Sequence, residues 1–178
     1  MKIVPYTDTH RQAFIDFNTD WIMENFGFLE QEDLDTFDRI DEELAAGAMI
    51  YAAENDQCAP LAFCMARPME KGRWEICKLA SNKHISHRGA GSAVFRAAMN
   101  YAIDHGAKEL FLLSNRKLKP ALHIYQKYGF HEIKLDNYEY ERCKFRHPKT
   151  ICTGIQVHRH GVSGPPSRGS GPPAVNPL

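Results

Sequence analysis

Apolar residues along the chain switch between two periods, and the switches divide it into elements. Lys2 to Tyr6 predicts a short strand. Thr7 or Asp8 then supplies a cap for a helix running to about Asn25, with Phe14, Phe17 and Trp21 on one face. A second, acidic helix is predicted over Glu30 to Ala46, with Leu34, Phe37, Ile40 and Leu44 buried and Gly47 as its stop. Met49–Glu54 and Leu61–Arg67 read as a hairpin about the turn Asn55-Asp56-Gln57, and a turn at Glu70 to Gly72 leads into a strand over Trp74 to Ser81. A helix follows from about Gly89 to His105, then an apolar strand Leu110 to Ser114, then a helix Leu118 to Tyr128 closed by Gly129. Phe130–Leu135 and Tyr138–Phe145 complete the pattern as strands. The predicted order is β α α β β β α β α β β, an α/β arrangement without internal repeats.

The periodicity stops near Arg146. From His147 the chain holds six prolines, five glycines and three serines, and only very short apolar runs. Such a composition buries too little surface to offset its ordering entropy. The expected organisation is one domain over residues 1–146 and a disordered Gly/Pro/Ser-rich tail over 147–178, of native, read-through or expression origin.

Composition narrows the classes. The 178 residues suffice for one domain with a core, and 43% hydrophobic with 25% charged residues is ordinary for a globular protein. The formal net charge is zero, so bulk attraction to nucleic acid or anionic membrane is not expected. No apolar run reaches membrane-spanning length, and MKIVPYTDTHRQ lacks a signal-peptide pattern, so a cytoplasmic location is expected. Five cysteines, Cys58, Cys64, Cys77, Cys143 and Cys152, are odd in number and have no CxxC spacing, which argues against a disulfide framework and a zinc site. The zero total hides a polarity: residues 1–57 carry fourteen carboxylates against three Lys or Arg, and none follows Glu141.

The stretch SHRGAGSAVFRAAMNYA, Ser86 to Ala102, puts Arg88, Gly89 and Gly91 at the start of a helix. A helix N-terminus exposes backbone N–H groups and partial positive charge, and glycine lets an anion approach the main chain. A dinucleotide-binding GxGxxG would need glycine where Val94 stands, and a Walker A motif would need a following Gly-Lys-Ser/Thr; neither is present.

Arg-x-x-Gly-x-Ala, Arg88 to Ala93, resembles the signature of the GNAT superfamily of N-acetyltransferases. The resemblance extends to WEICKLAS, Trp74 to Ser81, similar to that superfamily's central strand. It extends also to a strand ending in Ser114-Asn115, and to PALHIYQKYGF, Pro120 to Phe130. The motifs cover residues 74 to 130 and the topology covers about 1 to 146. Tyr140-Glu141-Arg142 resembles a last-strand motif in a bacterial group of this superfamily whose acceptor is unassigned. The stretch Ser81 to Ser86 departs from the superfamily's frequent Val-x-Pro linker, which puts the local path of the loop in question.

The resemblance implies a GNAT-type acyl-CoA N-acyltransferase fold, a mixed, mostly antiparallel sheet flanked by helices. It implies acetyl-CoA as co-substrate and direct transfer to a primary amine, either a small molecule or a lysine or N-terminal amine. The backbone of Arg88, Gly89, Ala90, Gly91, Ser92 and Ala93 would hold the pyrophosphate. The main chain of Leu79, Ala80 and Ser81 would pair with the pantetheine arm and polarise the thioester carbonyl. Asn115 and Ala121 would line the other side. Tyr125 stands at the usual general-acid position. Glu75 stands where a base is often found, and strand alternation puts it on one face with Cys77 and Leu79; a salt bridge of Glu75 with Arg73 or Lys78 is the other reading. His84, His87 and the cluster Arg116, Lys117, Lys119 are either phosphate contacts or solvated. Eight carboxylates between Glu30 and Glu43 are either a wall selecting a cationic acceptor or a solvated helix face. Trp21, Phe26 and Phe28 are candidates to shape a pocket there. No metal is implied, and a homodimer is an option the superfamily offers. The rivals are a non-catalytic acyl-CoA sensor on the same fold and a transferase for longer acyl groups.

Overall fold

The computed structural model of the chain describes residues 1–85, 87–133 and 150–156. Seven strands form one sheet, β1 (Lys2–Pro5), β2 (Met49–Glu54), β3 (Pro60–Pro68), β4 (Arg73–Ser81), β5 (Glu109–Asn115), β6 (His131–Ile133) and β7 (Thr150–Gln156), in the order β1-β2-β3-β4-β5-β7-β6. Every pairing is antiparallel except β4 with β5. Five α-helices flank it: α1 (Arg11–Phe26), α2 (Gln31–Asp38), α3 (Ile40–Ala45), α4 (Ala90–Asp104) and α5 (Lys119–Lys127).

Both faces of the sheet are covered, which explains the unbroken apolar run PLAFCMA in β3. Phe63 and Met65 pack with Phe14 of α1 and with Phe37 and Ile40 on one face. Cys64 and Ala66 pack with Val94, Phe95 and Ala98 of α4 on the other. A strand buried on both sides cannot show polar alternation.

Helix α1 begins after one 3-10 turn, Asp8–His10, rather than directly at Thr7 or Asp8. His10 anchors this start. Its Nδ1 accepts from the Thr7 N–H at 3.0 Å, and its Nε2 lies 2.8 Å from Glu54 of β2. Gly27, at φ 81, ends α1 in the left-handed conformation that glycine adopts without strain.

The acidic segment corrects two expectations. Its helix is interrupted at Arg39 (φ −108, ψ 27), and Leu34 is 40% exposed. Thr36 takes an inward position instead; its hydroxyl donates to the Glu32 carbonyl at 2.8 Å, so its burial leaves no polar group unmatched.

The domain boundary is also corrected. Residues 150–156, placed in the tail by composition, form β7 between β5 and β6, with Phe111 opposite Gly154 and Leu112 opposite Thr153. The run TICTGIQ is rich in β-branched residues, and pairing on both edges supplies what its short apolar content lacks. The expected strand Tyr138–Phe145, with Tyr140-Glu141-Arg142, lies outside the described residues.

Candidate active site

Strands β4 and β5 pair only over Arg73–Glu75 with Glu109–Phe111 among the described residues. Beyond that point they part. Cys77, Lys78 and Leu79 form one wall of a cavity of about 330 Å³, and Leu113, Ser114 and Asn115 form the other. Tyr125 of α5 also lines it, and Trp21, Phe26, Phe28, Glu30, Glu32 and Asp33 of the α1–α2 segment border the opposite side. The predicted catalytic pair, Glu75 and Tyr125, therefore share one cavity.

A bulge shapes the β4 wall. Met65 pairs with Cys77 and Phe63 with Ala80, so β4 carries one residue more than β3 over this interval. Lys78 absorbs it at φ +51. A left-handed conformation costs a residue with a Cβ about 1–2 kcal/mol, so the surroundings must hold it. The bulge overturns the expectation that Glu75, Cys77 and Leu79 share a face. Leu79 turns toward α4, where its Cδ1 would lie 3.9 Å from a Cβ at Gly91. Lys78 reaches the opposite layer, with Nζ 2.6 Å from Asp33 Oδ1 and 5.1 Å from the Phe37 ring.

The buried charge is organised around Arg67, a residue the motif reading passed over. Its Nε and Nη2 lie 2.8 and 2.6 Å from Oε2 of Glu75; Nη1 is 3.4 Å from Glu43 and Nη2 3.7 Å from Glu32. Glu75 is thus in an ion pair, with Arg67 in place of Arg73 or Lys78. The signal was available: a hairpin closed over residues 70–72 sets Arg67 directly opposite Glu75. Three carboxylates, Glu75, Glu43 and Glu32, thus surround one guanidinium. The guanidinium is held in its charged form against the cost of burial by the carboxylates of Glu75 and Glu43.

Two titratable groups facing the cavity stay protonated at neutral pH. Burial, the largest effect, pushes the Cys77 thiol up to about 12, with Arg67 opposing and Glu75 reinforcing. A thiol so placed is a poor nucleophile. Burial likewise raises the Tyr125 phenol above its ordinary value of 10, while neighbouring Ser114 pulls it down less. The Tyr125 ring is fixed against Phe95 at 5.3 Å between centroids.

At the other end of the cavity wall, α4 begins at Ala90 with Gly89 as its N-cap at φ +91. A Cβ at Gly89 would meet nothing within 4 Å, so that side of the loop is open. At Gly91 a Cβ would sit 3.4 Å from Ser81 Oγ and 3.7 Å from Ile124 Cδ1. The first turn of α4 therefore lies beside the end of β4, as the motif predicts. Arg88 and Gly89 are exposed, Ala90 is buried, and Ser92 bonds Tyr128 through its hydroxyl at 3.1 Å. Lys127 Nζ, 3.2 Å from Ser92 Oγ, adds a cation there that the sequence did not single out. Ala80 and Ser81 pair with Phe63 and Ala62 of β3. Asn115 is buried, its Oδ1 accepting from the Lys117 N–H at 3.0 Å, and Ala121 is half-buried against the α4 core.

The remaining candidates scatter. His84 lies in a separate groove of about 360 Å³ between α1 and residues 81–85, where Lys83 pairs with Asp20 at 2.8 Å. His87 is exposed, and Arg116 pairs with Glu132. Lys117 lines the cavity, whereas Lys119 is exposed outside it. Among the described residues no cluster of His, Cys, Asp or Glu is arranged to hold a metal ion, and no helix is long and apolar enough to cross a membrane.

The parted central strands, the glycine-led helix and the seven-stranded order define an acyltransferase fold. The model of the acetyltransferase (GNAT) family matches residues 14–130, and the chain belongs to that family. The search of curated proteins found no match. The fold is similar to a GNAT-family acetyltransferase from Staphylococcus aureus Mu50, with TM-score 0.73 and 15% identity over 87% of this chain and 98% of that one. It is similar to a phosphinothricin acetyltransferase from Sinorhizobium meliloti in complex with AcCoA, with TM-score 0.71 and 10% identity over 94% of each chain. It is also similar to the PaiA N-acetyltransferase of Thermoplasma acidophilum in complex with coenzyme A, with TM-score 0.65 and 13% identity over 88% of this chain and 100% of that one.

Proposed function

We propose that this chain is an acetyl-CoA-dependent N-acetyltransferase that acts directly on a cationic primary amine. The observation that carries the reading is the single cavity between β4 and β5, bounded at one side by the first turn of α4 and at the other by the carboxylates leading into α2.

Acetyl-CoA is the co-substrate, and it supplies the acetyl group already activated as a thioester. The residues present suit it. The first turn of α4 offers N–H groups that helix geometry leaves without acceptors, glycine beside Ser81 where no side chain intervenes, and the cations Arg88 and Lys127. Ala80 and Ser81 use one backbone edge for β3, and the other edge faces the opening toward β5.

The protein's own groups then divide the proton work. An alkylammonium, with a pKa near 10.4, must lose a proton before it attacks. Glu75 is the base in this reading: its Oε2 is held by Arg67, and no donor among the described residues reaches Oε1. Tyr125 keeps its phenolic proton and donates it to the departing thiolate. Cys77, kept as a thiol, does not take the acetyl group, so transfer needs no acyl-enzyme. Glu30 and Glu32 border the acceptor side and give it negative charge.

The test is calorimetric titration of acetyl-CoA into the full chain, followed by a panel of amines with and without a second positive charge. Micromolar binding and turnover that favours dications support the reading. A folded chain that binds no acetyl-CoA at millimolar concentration defeats it. Binding without turnover of any amine leaves a sensor instead.

A further inference from the structure

We infer that Lys78 and Asp33 form a latch that holds the left-handed bulge of β4 and joins the acceptor-side helix α2 to the cavity's backbone wall. Its catalytic part rests on the transferase reading above; its structural part does not.

Three observations meet at this pair. First, Lys78 is one of three residues other than glycine at positive φ among the described ones, and it alone of these lies in a strand. Its backbone conformation is the one that glycine, and not lysine, adopts readily. Second, its side chain is engaged far from its own strand: Nζ lies 2.6 Å from Asp33 Oδ1, with side-chain exposures of only 12% and 16%, and the ammonium stands 5.1 Å from the Phe37 ring. A charge-assisted bond in a partly water-excluded place is stronger than a surface pair. Third, both partners line the cavity, and Phe37 belongs to the core beneath α2. The contact therefore ties the wall that meets the acceptor to the bulge that sets which backbone groups of residues 78–79 face the opening.

The pair is a positioning device. Without it, the bulge loses the contact that offsets its unfavourable conformation, and α2 loses its tie to β4. The charge of Asp33 is committed to Lys78, so it adds little attraction for a cationic acceptor.

The test combines hydrogen exchange with kinetics on the full chain. Lys78→Met keeps most of the stem and removes the charge; it should raise exchange in peptides covering both 76–81 and 31–38. Lys78→Gly should raise exchange in 31–38 but not in 76–81, because glycine holds the bulge unaided. Lys78→Arg should stay near the parent in both. Asp33→Asn, which leaves Lys78 in place, should resemble Lys78→Met and serves if that variant does not fold. In the amine assay, Lys78→Met and Asp33→Asn should each lower kcat about tenfold with the acetyl-CoA dissociation constant unchanged, the double variant should be no worse than either, and Lys78→Arg should recover most of the rate. Unchanged exchange at 76–81 in both Lys78→Met and Asp33→Asn would overturn the latch. Raised exchange with an unchanged kcat would overturn its link to catalysis. A parent chain that acetylates no amine would defeat the transferase reading, and the exchange data would still decide the latch.

Discussion

The two ends of the cavity are built from different materials. The α4 end is made of backbone: a left-handed Gly89, a close-packed Gly91 and the first turn of a helix. The α2 end is made of side chains: Glu32 and Glu43 around Arg67, Asp33 on Lys78, and the rings of Trp21, Phe26 and Phe28. In the proposed reading the backbone end meets acetyl-CoA, and a main-chain site tolerates little change. The side-chain end meets the acceptor, and a side-chain site can be rewritten residue by residue. The difference should appear in how each end responds to substitution.

The largest effect should come from the side-chain end, but on the fold. Arg67→Ala leaves Glu75 buried without its partner, and breaking a buried pair costs about 3–5 kcal/mol. Urea denaturation should show a midpoint shift of that size with the slope unchanged. A shift below about 1 kcal/mol, the worth of a surface pair, would mean that Arg67 is not the centre of the cluster. Next comes Tyr125→Phe. It removes one hydroxyl from a ring already fixed by Phe95, so folding and acetyl-CoA affinity should persist. The turnover number should fall by about 10²-fold or more, the usual worth of a positioned acid. Equal turnover would remove Tyr125 from the chemistry.

At the backbone end the expected effect is smaller and falls on affinity. Gly91→Leu places a side chain where even a Cβ stands 3.4 Å from Ser81 Oγ and 3.7 Å from Ile124. Acetyl-CoA affinity should drop about tenfold, or 1.4 kcal/mol, with the Michaelis constant for the amine unaffected. Gly91→Ala is the control: its methyl group meets only ordinary contacts, so stability should hold and any loss of affinity reports the cofactor side alone. An equal rise in both Michaelis constants for Gly91→Leu would mean that the two ends are not separable.

The same division explains what could be read in advance. The helix start at Gly89 was legible from its glycines, and Asn115 and Tyr125 fall on one cavity because a strand end and a fixed ring carry particular residue types at short spacings. Arg67 was only half legible: the turn at Glu70 to Gly72 sets it opposite Glu75, but the carboxylates that two helices bring to it have no short sequence signal. The place of Leu79 was missed because alternation assumes a regular strand, and nothing in the periodicity of WEICKLAS marks Lys78 as the residue that absorbs an extra position. The strand over residues 150–156 was hidden because proline and glycine farther along dominated the composition of the whole segment. Leu34 was expected inside because the 3.6-residue period treats threonine as polar, whereas Thr36 satisfies its hydroxyl within the helix.

The finest distinction lies within the acidic wall. Glu30, Glu32 and Asp33 all line the cavity, and Asp33 makes a short bond to Lys78. Replacing Glu30 and Glu32 by lysine should raise the Michaelis constant for a dication by a few-fold, since partly exposed charges act through a high effective dielectric. It should leave the value for a singly charged amine less affected. The increase should shrink from 0.05 to 0.5 M salt, values chosen on either side of the concentration, about 0.1 M, at which screening reaches about 10 Å. Asp33→Asn should behave otherwise: its effect falls on kcat and persists at high salt, because its partner is buried beside it. If all three substitutions share one salt-dependent effect on the Michaelis constant, Asp33 is simply part of the wall, and the side-chain end attracts its acceptor by total charge alone.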